Sequence, residues 1–180
     1  MRAPHLDYPE RRLDYRIEAK ILIKAPPRDV FDFVTTPTLW LLWYPATRAV
    51  EAKPDRSLLL GETVVEFIKA GPRSVVAEWT VVECEPGRLW TIDTVTTEGD
   101  ARLTYTPAMR GRATEFRRAL QYRSRGLPWR WLDGNITRWM LRRQARAALR
   151  NLKRVLESGA RAGAIGTGKR SDQRVGKRKS

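Results

Sequence analysis

The sequence predicts an α+β fold in which a seven-stranded, curved antiparallel sheet lies against a long C-terminal helix, with two short helices between the first strand and the second. Three observations carry this. Residues 15–24 alternate apolar and polar side chains with the two-residue period of a half-buried strand. Residues 47–123 break into extended runs at Pro54-Asp55, Gly71-Pro72, Pro86-Gly87, Gly99-Asp100 and Arg110-Gly111, dipeptides that mark tight turns. After Gly126 and Pro128 the apolar period lengthens to four over residues 131–157, as in a helix.

In the first strand Tyr15, Ile17, Ala19, Ile21 and Ile23 share one face, and Pro26-Pro27 ends the run. Proline lacks an N–H that a helix's first turn would leave unpaired, so Pro27 can open a helix reaching Thr35. Val30, Phe31 and Val34 lie on one side of it, and Pro37 stops it. A second helical turn over 38–42 carries Leu39, Trp40, Leu41, Leu42, Trp43 and Tyr44 with no polar break and is halted by Pro45. Large aromatics fill cores as readily as they touch ligands, so these six residues either plug one end of the sheet or wall a cavity.

The remaining strands span 47–53, 60–70, 74–85, 88–97, 100–107 and 112–123, joined by short loops that make neighbours antiparallel. In the long helix Ile136, Met140, Gln144, Ala148, Leu152 and Leu156 recur at every fourth position. Such a stripe drifts about 40° per step, which suits a helix crossing a curved sheet obliquely. One domain, residues 15–157, is thus expected between an N-terminal arm (1–14) and a disordered basic tail (158–180) rich in Gly, Ala, Ser, Lys and Arg.

Net charge is +15, but it is unevenly placed. Residues 1–122 hold 18 basic and 17 acidic side chains, residues 123–157 hold 10 and 2, and residues 158–180 hold 7 and 1. The positive field therefore belongs to one helix and one tail, and speaks of partners more than of core chemistry. The single cysteine, Cys84, cannot form an internal disulfide, and no charged-then-apolar leader opens the chain. A reducing, cytoplasmic setting is expected. No apolar run approaches the ~20 residues of a membrane-spanning helix, so membrane contact, if any, is peripheral.

Conventional catalytic sets are scarce. The only histidine, His5, lies in the arm, which removes the commonest general base and metal ligand together; no metal site and no cofactor are expected. Cys84 sits between Glu83 and Glu85, neighbours that would raise a thiol's pKa, and reads as structural. Residues 163–169 fit the start of a phosphate-loop pattern, but no strand precedes them and Arg170 replaces the magnesium-binding hydroxyl. In strand 112–123 the two-residue period puts Arg118 on the face of Phe116, Leu120 and Tyr122. If that face is concave, an unpaired charge there is costly, and Arg118 needs a ligand carboxylate or phosphate, or an ion pair with Glu66 or Glu78; solvent exposure at a sheet edge is the other reading.

Strand, two small helices, six-strand meander and long helix is the order of the helix-grip fold. The stretch Ile17 to Pro45 is similar to the opening of the polyketide cyclase/dehydrase and lipid-transport family, within the START-like (SRPBCC) superfamily, where an apolar strand, Ala-Pro, a Val-Phe-x-Phe-Val helix and a Trp near a Pro recur. Val81 to Ile92, with its Pro-Gly-Arg-Leu turn, resembles that family's central hairpin. The resemblance implies a sheet that wraps the last helix around a hollow closed by the two small helices. Cavity positions would be Phe33, Trp40, Trp43 and Tyr44 from the helical segment, and Phe67, Trp79 and Trp90 from the middle strands. The last two strands would add Tyr105, Phe116, Arg118, Leu120 and Tyr122, and the long helix Ile136 and Met140.

Three functions compete. The first is binding or transport of a hydrophobic small molecule, a lipid, isoprenoid or polyketide, in that cavity. The second is a polyketide cyclase or dehydratase-like enzyme, for which Arg118, Tyr105, Tyr122 and Glu66 are the available catalytic candidates. The third is a nucleic-acid or ribosome contact through the basic helix and tail, without a recognised nucleic-acid motif to support it. Residues 123–140 interleave Trp129, Trp131 and Trp139 with arginines, a mixture that fits an anionic membrane surface as well as a cavity entrance; Arg130, Arg138, Arg142 and Arg146 are the candidate anion contacts.

Overall fold

The computed structural model describes residues 15–51, 55–70, 73–97, 99–124 and 134–168, with side chains described for 138–159 of the last stretch. Residues 1–14 with His5, residues 125–133 with Trp129, Arg130 and Trp131, and residues 169–180 lie outside the described residues, as does the side chain of Ile136.

Seven strands follow the expected order: β1 (Tyr15–Ile23), β2 (Thr47–Glu51), β3 (Thr63–Ala70), β4 (Arg73–Glu85), β5 (Leu89–Thr96), β6 (Gly99–Arg110) and β7 (Ala113–Ser124). They form one antiparallel sheet in the order β1-β7-β6-β5-β4-β3-β2. β1 pairs with β7, Ile17 opposite Leu120 and Ile21 opposite Phe116, so the chain's first and last strands are neighbours and β2 is left at the far edge. Gly87 turns the β4–β5 hairpin at φ 77°, a left-handed conformation that a side chain would strain. A bulge between Val81 and Glu83 reverses the facing pattern of β4. Ala77, Trp79 and Val81 point inward before it, and Cys84 packs toward the core after it.

Helix α1 (Pro27–Thr35) starts on Pro27 as expected, and ends because Thr36, which precedes Pro37, is extended. The Thr35 and Thr36 hydroxyls each donate back to the carbonyl four residues earlier, Phe31 and Asp32, which ties their side chains to the last turn. The second helical turn falls where expected and is slightly longer: a 3₁₀ turn (Pro37–Leu39) leads into α2 (Trp40–Trp43). Trp40 and Trp43 are buried, while Leu41 and Leu42 are exposed.

The long helix α3 (Gly134–Gly168) runs past Glu157, where the sequence placed its end, so residues 158–168 are helical rather than disordered. Alanine, the strongest helix former, recurs there at 160, 162 and 164 among the glycines. Ala145, Ala148, Leu149 and Leu152 are buried against the sheet, which widens the predicted fourth-residue stripe into the broader apolar face usual for a surface helix. Two contacts pin the helix to β1: Lys153 Nζ donates to the Leu22 carbonyl at 2.9 Å, and the Lys24 amide donates to Glu157 at 3.0 Å.

The closed end of the fold is aromatic. Trp90 stacks on Tyr105 at 5.4 Å, Tyr105 meets Phe116 at 5.4 Å and Trp43 at 6.1 Å, and Trp40 stands edge-on to Trp90. The indole N–H of Trp90 donates to the Leu58 carbonyl and that of Trp40 to the Val34 carbonyl, so these large side chains are buried with their polar atoms satisfied.

Candidate functional site

Between the concave face of the sheet, α2 and the first turns of α3 lies a cavity of about 260 Å³. Trp40, Trp43, Ile68, Ala77, Trp79 and Leu103 give it apolar walls, and Leu120, Met140 and Leu141 close the side toward α3. The alternatives for the Leu39–Tyr44 cluster thus divide by residue. Trp40 and Trp43 both fill the core and line the cavity, Tyr44 lines it, and Leu41 and Leu42 do neither.

Four of the sequence-expected cavity residues are not part of the wall. Trp90 and Phe116 lie wholly in the closed aromatic end. Phe33 packs from α1 onto the outside of the core. Phe67 follows Glu66 and precedes Ile68, both inward-facing, so strand alternation turns it to the convex side. Tyr44, Trp79, Tyr105, Arg118, Leu120, Tyr122 and Met140 do line the cavity.

Arg118 is the unusual member. β7 holds it opposite Tyr105 and between Phe116 and Leu120, on the inward face that the period predicts. It is only 4% exposed, which overturns the solvent-exposed reading. Among the described residues no carboxylate comes within ion-pair distance, so neither Glu66 nor Glu78 neutralises it directly; Glu78 points outward and is exposed. Nη2 donates to the Tyr44 hydroxyl at 3.1 Å, the guanidinium carbon lies 4.9 Å from that ring's centroid, and Nε has no hydrogen-bond partner.

Glu66, 3% exposed, faces the same cavity from β3. Thr47 Oγ1 donates to one carboxyl oxygen at 2.5 Å and the Trp79 indole to the other at 2.9 Å. Burial raises its pKa above the ordinary carboxylate range; the two donors and the charge of Arg118 oppose this without cancelling it. Burial also raises the phenol of Tyr105, against the pull of Arg118, and keeps it a hydrogen-bond donor. All four catalytic candidates, Glu66, Tyr105, Arg118 and Tyr122, therefore line one cavity. Tyr122 lies further along β7, stacked on Tyr15 at 5.3 Å, where burial raises its phenol too.

The wall holds further polar groups, of which Thr94 and Asp100 were not expected from the sequence. Thr94 Oγ1 and the Trp43 indole nitrogen have no hydrogen-bond partner, and Asp100 and Gln144 also line the space. Thr94 continues the inward parity of Trp90 and Ile92, a signal that was present; the pairing of Trp79 with Glu66 needs strand register, which was not. Of the candidate anion contacts on α3, Arg142 and Arg146 are exposed. Arg138 is not free on the surface: it is half-buried, its guanidinium 5.1 Å from the Tyr15 ring. Among the described residues no three His, Cys, Asp or Glu side chains cluster as metal ligands, and no helix is long and apolar enough to cross a membrane. Burial raises the Cys84 thiol, away from the reactive thiolate.

Comparison with known proteins agrees with this geometry. The sequence model of the family described as polyketide cyclase / dehydrase and lipid transport matches residues 14–157. The Zhui aromatase/cyclase from a Streptomyces species superposes with a TM-score of 0.67 at 16% identity, covering 83% of this chain and 97% of that one. A Thermus thermophilus protein gives 0.67 at 13% identity, covering 81% and 99%. A START superfamily protein from Mycobacterium smegmatis gives 0.65 at 9% identity, covering 79% and 97%. At such identities these likenesses speak to the fold. No curated protein matches the chain.

Proposed function

The chain belongs to the polyketide cyclase/dehydrase and lipid-transport family, and from that premise we propose that it binds a hydrophobic small molecule whose one acceptor group, a carbonyl, phenolate or carboxylate, is held by Arg118. The observation that carries the reading is a buried guanidinium with an unpartnered Nε in a cavity whose walls are mostly apolar. An unsatisfied buried donor costs about 1–3 kcal/mol. A ligand acceptor would recover that, while the apolar wall supplies affinity by excluding water. At about 260 Å³ the space falls just below the roughly 300–1,000 Å³ of usual ligand sites, a size that favours one compact ring system over a two-chain lipid.

Calorimetric titration with naphthoate and with methylnaphthalene tests this. The wild type should prefer naphthoate, and Arg118→Gln should remove the preference. Failure of both to bind, or a preference that survives the substitution, would overturn it.

A second reading, catalysis, is favoured by one observation: Glu66, held toward its protonated form, shares the cavity with Arg118 and Tyr105. Arg118 would polarise a ligand carbonyl and Glu66 would lend a proton, the roles that a cyclisation or dehydration of a polyketone needs. Product formation from an aromatic-forming polyketone above the buffer rate, lost in Glu66→Gln, would support it; conversion at the buffer rate would leave binding alone.

A further inference from the structure

Along α3, Trp139, Arg142, Arg143, Arg146 and Arg150 fall within a sector of about 100° at 100° per residue, a straight stripe about 17 Å long. All five are exposed, Trp139 to 61%, and the Arg143 guanidinium lies 5.5 Å from the Trp139 ring. Among the described residues none of these four arginines has a carboxylate partner. Several arginines outside the helix differ: Arg16, Arg102 and Arg117 on strands, and Arg56 and Arg88 in the segments between strands, each meet Glu or Asp. Between 134 and 156 the helix carries no acidic residue at all. Four like charges on three turns repel one another, so the face is complementary to a sheet of anions, not to solvent.

The apolar part of the face selects among anionic partners. Trp139 precedes Met140 and Leu141, which line the cavity. Helix α2 lies beside α3, tied to it by Asn151 Nδ2 donating to the Trp43 carbonyl at 3.4 Å, and leaves Leu41 and Leu42 about half exposed. An exposed indole packed against an arginine matches the boundary between lipid headgroups and acyl chains.

We propose that this face of α3, with Trp139 as its apolar anchor, docks the protein on an anionic lipid surface. It stands independently of what the cavity binds.

Co-sedimentation of the full chain with vesicles of phosphatidylcholine alone, or of equimolar phosphatidylcholine and phosphatidylserine, reads it directly. The chain should pellet only with the second. A basic side chain near such a surface is worth about a fivefold factor, so the variant Arg142→Gln/Arg143→Gln/Arg146→Gln should need on the order of a hundredfold more lipid. Quenching by brominated acyl chains should fall in Trp139→Phe while pelleting persists. These exposed substitutions should leave the circular dichroism spectrum unchanged. The proposal is overturned if the triple variant pellets like the wild type, if Trp139→Phe is quenched equally, or if the stripe retains single-stranded RNA in a mobility-shift assay but no vesicles.

Discussion

Glu66 and Arg118 are the residues whose placement is most costly for the fold and most informative about its use. Glu66 is a buried carboxyl with a raised pKa. Its favourable contribution is present below the unfolded value of about 4.3 and is lost as pH rises through the raised folded value. The melting temperature of Glu66→Gln relative to wild type should therefore climb as pH rises above about 4. The slope is the test, because Gln offers only one acceptor oxygen to Thr47 and Trp79 and so adds a constant penalty; parallel curves would contradict the assignment. Arg118→Met should not lower thermal stability, since it removes a desolvated charge that lacks a carboxylate, yet should weaken naphthoate binding by at least about tenfold. Arg118 was legible in the sequence because Phe116, Leu120 and Tyr122 share its parity. Its hydrogen-bond partner, Tyr44, was not, since tertiary packing brings the two together across 74 residues of chain.

At the scale of elements, α3 divides into an anchoring half and a half that borders the cavity. Leu152 is fully buried beside β1, and Leu152→Ala should cost about 2–5 kcal/mol in urea unfolding. Trp139→Ser, at an exposed site on the same helix, should change stability by no more than about 0.5 kcal/mol. Comparable losses for the two would refute the division. The fourth-residue stripe named Met140, Gln144, Ala148 and Leu152 correctly as the inner face, because helical period alone decides it. Phe67, a cavity position by resemblance, faces the other way because strand parity makes Glu66, its polar neighbour, the inward residue. Proline and glycine marked most turns, whereas the bulge at Val81 to Glu83 carries no such mark.

For the whole molecule, the order of elements made the architecture readable, but not the partnership of β1 with β7, which no local period specifies. Cavity volume was equally hidden, since Trp40 and Trp43 could have filled the space they instead enclose. The central claim is that this space is meant for a ligand. Ala77, buried at the wall, offers a way to close it, because a larger side chain there has a void to enter and should escape much of the usual overpacking cost. The measurement is native mass spectrometry of the purified full chain beside Ala77→Trp, with organic extraction of whatever is bound. A stoichiometric small-molecule adduct on the wild type, absent from the filled variant, is the result predicted. A wild-type chain that is empty and refuses aromatic acids, or an adduct carried equally by both proteins, would contradict it.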